Sequence, residues 1–196
     1  TVDLVNDPAT FGGDISGSED EDTTITGTLT ARDSADGLSN PNFTVSADGV
    51  NGSATIDASG AWIYTPDTNF NGSDSFTVTI TDDDGNAESQ VINVSVSQVN
   101  DEATFGGEIT GTEDEDTTIT GTLTASDIAD GLSNPNFTVS ADGANGVASI
   151  DANSGAWSYT PNTNFNGSDS FTVTITDDDG NAESQVINVS VSQVND

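Results

Sequence analysis

The chain has 196 residues, with 34 acidic side chains against one basic side chain, Arg32, for a formal net charge of −33. That balance excludes internal neutralisation, and it excludes binding to nucleic acid or insertion at anionic membranes, which need a basic face. There is no Cys, His or Lys, so disulfides, thiolate and imidazole ligands and the usual general bases are missing; any metal held here must be a hard ion that accepts oxygen ligands.

The predicted elements are all strands. Phe11 and Ile15 mark a first strand. In "TTITGTLTA", Ile25, Gly27, Leu29 and Ala31 share one face of a second. Phe43 and Val45 mark the third strand, and Ala54 and Ile56 the fourth. The turn "DASG" leads to Trp62 and Tyr64 on the fifth, which Pro66 ends. Phe76, Val78 and Ile80 form the sixth, and Ile92, Val94 and Val96 the seventh. Helical periodicity is absent throughout.

The pattern then repeats. "VND" recurs at Val5, Val99 and Val194, and the segment Thr68 to Asp101 returns unchanged as Thr163 to Asp196. The predicted fold class is therefore all-β: two tandem seven-stranded Ig-like β-sandwiches joined end to end, repeat 1 over residues 5–98 and repeat 2 over 99–196, with a linker at about 99–103. Thr1 to Leu4 align with the end of a repeat, so the chain reads as an excerpt from a longer array. The Thr residues that alternate with apolar ones suit a solvated sheet face; a threonine ice-binding face would need regularly stacked rungs that a twisted sandwich does not supply.

The acids are not spread evenly. If successive strands alternate in direction, the linker entering a repeat shares a pole with the loops joining strands two to three, four to five and six to seven. In repeat 2 those loops carry Asp127 and Asp130, the turn at Asp151, and Asp177 to Asp179. The opposite pole of repeat 1 carries Glu19 to Asp22, and Asn100 and Asp101 lie on the connection between them. Ca²⁺, which takes six to eight oxygens in irregular geometry, suits such a convergence better than Mg²⁺ or Zn²⁺. No EF-hand loop and no glycine-rich nonapeptide is present, so ligands must come from several segments.

"EDEDTTITGTLTA", "YTPNTNFNGSDSFTVTITDDDGNAES" and the terminal "VND" resemble the cadherin-like tandem repeats of giant bacterial repeats-in-toxin adhesins, the Vibrio–Colwellia–Bradyrhizobium–Shewanella type, over essentially the whole chain. The resemblance implies a secreted cell-surface protein in which Ca²⁺ holds successive extender domains in line. By position, Asn100 and Asp101 correspond to the linker ligands, as do Asn6 and Asp7, and Asn195 and Asp196. Glu113 and Glu115, like Glu19 and Glu21, stand where a first-to-second-strand glutamate ligand is expected. Asp127 and Asp130, with Asp33 and Asp36, resemble an Asp-x-Asp ligand pair spaced one residue wider. Asp177 and Asp179, with Asp82 and Asp84, match the ligands of the sixth-to-seventh loop. Either member of each acidic run can serve.

The expected function is a calcium-stiffened spacer, a monomeric rod whose partners are the neighbouring repeats of its own chain, outside a bacterial cell, with several Ca²⁺ per repeat including interdomain sites. Direct membrane insertion and enzymatic activity are not expected. The alternative is a ligand-binding module for a carbohydrate or a partner surface, with Trp62 and Trp157 stacking on a sugar; their phase with Tyr64 and Tyr159 instead places them in the core.

Overall fold

The computed structural model describes residues 6–34, 37–39 and 41–195, so the expected tail of a preceding repeat, residues 1–4, lies outside it. The chain divides into two units, Thr1–Val99 and Asn100–Asp196. Every regular element among the described residues is a strand. Unit 1 contains β1 (Thr10–Gly13), β2 (Ser16–Asp20), β3 (Ile25–Arg32), β4 (Thr44–Ala47), β5 (Gly52–Ile56), β6 (Ala61–Pro66), β7 (Gly72–Thr81) and β8 (Ala87–Ser97). Unit 2 repeats them as β9 (Thr104–Gly107), β10 (Thr110–Asp114), β11 (Ile119–Ser126), β12 (Thr138–Ala141), β13 (Gly146–Ile150), β14 (Ala156–Pro161), β15 (Gly167–Thr176) and β16 (Ala182–Ser192).

Each unit is a sandwich of two four-stranded sheets, ordered β1-β3-β6-β5 and β2-β8-β7-β4 in the first and equivalently in the second. The seven predicted strands become eight because the first one changes sheets. β1 pairs antiparallel with β3, whereas β2 pairs parallel with β8. The break falls at Gly13, whose φ of 77° belongs to glycine, and a side chain there would collide with the Thr28 carbonyl oxygen. Asp14 secures the crossing: its N–H donates to Thr28 O at 2.8 Å and its Oδ2 accepts from Thr28 N at 2.9 Å. Ile15, read with Phe11 as marking one strand, sits in this crossing and is 46% exposed.

The path is not a simple meander, since β4 pairs with β7 rather than with β3. Strand direction still alternates, and the loops gather at two poles as expected. At one pole, Asp83 N donates to Gly37 O, joining the β7–β8 turn to the β3–β4 loop. At the other, Asn69 N donates to Asp22 Oδ1 at 3.1 Å, joining the β6–β7 turn to the β2–β3 turn.

The core of unit 1 is built on Trp62, Tyr64 and Phe76. Trp62 meets Phe76 edge-on at 5.5 Å, and Tyr64 stacks on Phe76 at 6.0 Å. Trp157, Tyr159 and Phe171 repeat the arrangement. Each indole donates Nε1–H to a backbone carbonyl, Asp14 or Glu108, which satisfies its one polar atom. Thr26, Thr28 and Thr30 on β3 face solvent while Ile25 and Leu29 face the core, so the threonines supply the solvated face.

One carboxylate per unit is built into the sandwich wall. Asp74 Oδ2 accepts the Tyr64 hydroxyl at 2.6 Å and Asn51 N at 2.8 Å, and Oδ1 accepts Val50 N, so this side chain holds the β4–β5 loop. Burial followed by the Asp74 bond pushes the Tyr64 phenol up. Burial also acts to raise the Asp74 pKa, but the Tyr64 and backbone hydrogen bonds outweigh it and hold the carboxyl below its usual 3.8. Asp169 is arranged identically around Tyr159. A group whose folded pKa is depressed stabilises the fold fully above its unfolded pKa and loses that contribution as pH falls through the folded value. In chelator, Asp74→Asn is therefore expected to cost about 2 kcal/mol at pH 7. That gap should close as pH drops below about 4. Urea unfolding of both proteins from pH 7 to pH 2.5 checks this; a gap that widens in acid would refute it.

Candidate metal centre

In unit 2 the site assembles at the pole where the chain enters, from three segments. The β11–β12 loop supplies Asp127 and Asp130, the β15–β16 turn supplies Asp177, and the entering segment supplies Asp101. One carboxylate oxygen from each of Asp127, Asp130 and Asp177 lies within 4.8 Å of the others. Asp130 and Asp177 are buried and Asp127 is half-buried.

The loops present these acids for local reasons. Asp127 Oδ1 accepts the N–H groups of Ala129 and Asp130, both at 3.1 Å, which folds the loop back on its own first residue. Its other oxygen, Oδ2, is buried and has no hydrogen-bond partner. A buried carboxylate oxygen without a donor is costly, and a cation between the three carboxylates would satisfy it. Asp130 Oδ2 accepts the Asp101 N–H at 2.6 Å, tying the entering segment to the loop.

Each of the three consecutive aspartates has its own task. Asp177 points inward: Oδ1 accepts from Asp179 N and Asn181 N, and Oδ2 from Asn181 Nδ2 at 2.9 Å. Burial acts to raise its pKa, but the Asn181 side-chain and backbone bonds prevail and hold it below the ordinary carboxylate value. It is thus charged and pre-positioned without any basic partner. Asp178 reaches sideways, accepting Ser133 Oγ–H at 2.6 Å and Ser133 N–H, so it clasps the two loops together. Asp179 is exposed. The middle acid was missed in the sequence because its role depends on a serine 45 residues away.

The remaining candidates are placed as follows. In unit 1, Asp82 makes the same bonds with Asn86 as Asp177 makes with Asn181, Asp84 is exposed, and Asp33 is half-buried. Asp36 and Asp196 lie outside the described residues. Glu19 and Glu113 are exposed on the edge strands β2 and β10. Glu21 Oε1 accepts Val99 N at 2.6 Å, and Glu115 Oε1 accepts Val194 N at 2.7 Å, so these two hold the segment leaving each unit. Asn6, Asp7, Asn100 and Asn195 are exposed. Asn100 Nδ2 donates to Glu183 Oε1, and Asn6 Nδ2 to Glu88 Oε1, both at 3.2 Å. Glu88 and Glu183 are a second omission. Their signal was present: each shares the parity of the buried positions of β8 or β16 and so points inward at the end of the strand.

The model of the bacterial Ig domain matches residues 6–95 and again residues 100–190. The chain belongs to the bacterial Ig domain family. No curated protein matches it in sequence. Among solved structures this bacterial Ig tandem is similar to mouse cadherin-23 EC22-24, at 17% identity and a TM-score of 0.55, over 96% of this chain and 67% of that one. It is similar to protocadherin gamma B2 extracellular cadherin domains 3-6, at 14% identity and a TM-score of 0.51, over 96% of this chain and 48% of that one. It thus spans about half of that protocadherin fragment. At these identities the likeness is one of fold. A match to the adhesin InvE of Yersinia pseudotuberculosis, at 17% identity over 92% of this chain and 58% of that one, has a TM-score of only 0.40 and carries no argument.

Proposed function

We propose that this bacterial Ig tandem is a calcium-stabilised spacer of a bacterial surface adhesin of the repeats-in-toxin kind, stiffened by Ca²⁺ at its linkers and projecting a distal binding domain from the cell. The observation that carries the reading is the trio Asp127, Asp130 and Asp177, with the buried Oδ2 of Asp127 lacking a donor, beside the entering Asp101. Hard carboxylate oxygens from separate segments, with no nitrogen or sulfur ligand anywhere in the chain, favour Ca²⁺. Asp101, whose N–H donates to Asp130 Oδ2, would add a further oxygen to the site in unit 2. An extracellular location accords with the family. Among the described residues no helix is long and apolar enough to cross a membrane. The alternative sugar-stacking role finds no support, because Trp62 and Trp157 are 1% and 2% exposed.

Calorimetric titration with CaCl₂ should show binding with Kd of about 10⁻⁴ to 10⁻³ M, the range of extracellular modules. Asp127→Asn should weaken the site in unit 2 by about ten-fold or more, as befits loss of a charged ligand. X-ray scattering with and without chelator tests the spacer role: the maximum dimension should shrink when the ion is removed. Absence of binding heat would defeat the calcium assignment, and identical dimensions would defeat the spacer.

A further inference from the structure

We propose that the free edge of β13, and that of β5 in unit 1, is a strand-pairing site for a second copy of this chain that one carboxylate, Asp142 or Asp48, holds shut. The proposal goes beyond the calcium reading and needs no metal.

Hydrogen-bond phase decides which backbone groups an edge strand has to offer. Asn51 O accepts Asp67 N at 2.8 Å, and Asp57 N donates to Ala61 O at 2.9 Å. Between these two bonds, Ser53 and Thr55 turn their backbone groups toward β6. Gly52, Ala54 and Ile56 therefore turn theirs outward, where β5 ends its sheet. Pro66, which has no N–H, stands opposite Gly52, as this phase requires. In unit 2, Asn162 N to Asn145 O and Asp151 N to Ala156 O set the same phase, and Gly146, Ala148 and Ile150 face the open side of β13. At the middle of each row the donor is taken. Asp48 Oδ1 accepts Ala54 N and Asp142 Oδ1 accepts Ala148 N, both at 2.6 Å. Both carboxylates are exposed and come from the loop that precedes the strand.

The other edges of the sandwich are protected by their own residues. β1 is only four residues long, β2 carries the exposed Glu19 and Asp20, and β4 is bulged between Val45 and Ala47. By contrast, "GSATI" of β5 and "GVASI" of β13 hold no charge, no proline and no break in register. β13 also presents Val147, 62% exposed, where β5 has Ser53. A second copy of a chain with net charge −33 can approach closely only along a neutral segment, and this edge is one. The edge is also complementary to itself. Two copies of β13 laid antiparallel place Ala148 opposite Ala148 and Gly146 opposite Ile150, and each such pair can exchange N–H and C=O in both directions. Only the Asp142 carboxylate stands in the way: it occupies the central donor and would set its charge against its twin.

The test is sedimentation equilibrium of the 196-residue chain in chelator and about 1 M salt, where the Debye length of about 3 Å screens repulsion between the polyanions. At chain concentrations up to about 1 mM, the unaltered chain should stay at 19.9 kDa. Asp142→Ala should move the average mass toward twice that value. Asp48→Ala should associate about ten-fold more weakly, for want of the exposed valine. Amide exchange at Ala148 in Asp142→Ala should be fast when dilute and slow as concentration rises. Adding Ala148→Pro removes the central donor without breaking a bond to β14, and should return Asp142→Ala to monomer. Association that survives this proline would come from misfolding or another surface and would overturn the proposal. An Asp142→Ala chain that stays monomeric throughout would overturn it too, by reducing Asp142 to a loop support. Either failure leaves the calcium spacer standing.

Discussion

Ca²⁺ at about one hundred times its Kd is expected to raise the thermal midpoint of the chain by roughly 10 to 20 °C over chelator. A ligand that binds only the folded state at that excess stabilises it by about 2.7 kcal/mol per site. For domains of this size each kcal/mol moves the midpoint by roughly 4 to 8 °C. Without the ion, three carboxylates within 4.8 Å face one another in a chain whose sole basic residue is Arg32. Each unit charge pair at about 4 Å repels by roughly 1 to 4 kcal/mol, depending on exposure. Binding converts that repulsion into ligation. Mg²⁺ at equal concentration should do much less, because it dehydrates reluctantly and prefers few protein ligands. Differential scanning calorimetry in the two ions and in chelator is the measurement; a midpoint that ignores Ca²⁺ would remove the metal from the account.

Gly27→Ala, or Gly121→Ala in the second unit, is expected to destabilise its own repeat by about 3 kcal/mol, a large share of what a small domain has. A methyl group on Gly27 would overlap Cζ2 and Cε2 of the Trp62 indole and press on Asp14 Cβ. On the opposite side, Gly17 leaves room for the same ring against Ile25 and Trp62 Cη2. The indole is therefore seated between two glycines, one from each sheet, and its Nε1 bond to Asp14 O depends on that seat. Neither Gly27 nor Gly17 has a positive φ, so the requirement is one of space and not of backbone freedom. Urea unfolding measures the loss. In a double-mutant cycle, Trp62→Phe should make Gly27→Ala less costly, since a smaller ring vacates part of the clash. A cost below about 0.5 kcal/mol, the usual effect of a surface substitution, would show that the core repacks freely there.

Much of this architecture was legible in the residues. Alternation put Ile25, Leu29, Trp62, Tyr64, Phe76, Val78, Ile80, Ile92, Val94 and Val96 on core faces, and all are buried. A period-two pattern needs no tertiary information, because each β-residue points opposite to its neighbour. The alternation of strand direction also sufficed to gather the acidic loops at the poles. What alternation could not show was the division of the first strand, because a run as short as "TFGGDIS" carries too few apolar side chains to declare which sheet it joins. Phe11 and Ile15 were read as marking one strand, whereas the change of sheet at Gly13 divides it and leaves Ile15 exposed.

The chemistry divides along the same line. Composition by itself determined that side-chain ligands for a metal are oxygens, that one basic residue cannot balance 34 acids, and that the chain has no thiol. Those conclusions depend only on which atoms exist. Only the tertiary structure decided which acid does what: Asp177 inward on Asn181, Asp178 across to Ser133, Asp127 with one oxygen bonded and one bare, Glu88 and Glu183 closed on the entering segment. Neighbouring carboxylates in a run are chemically alike, so nothing local ranks them. Their differences arise from partners tens of residues away, which the folding of the two sheets brings within hydrogen-bond reach.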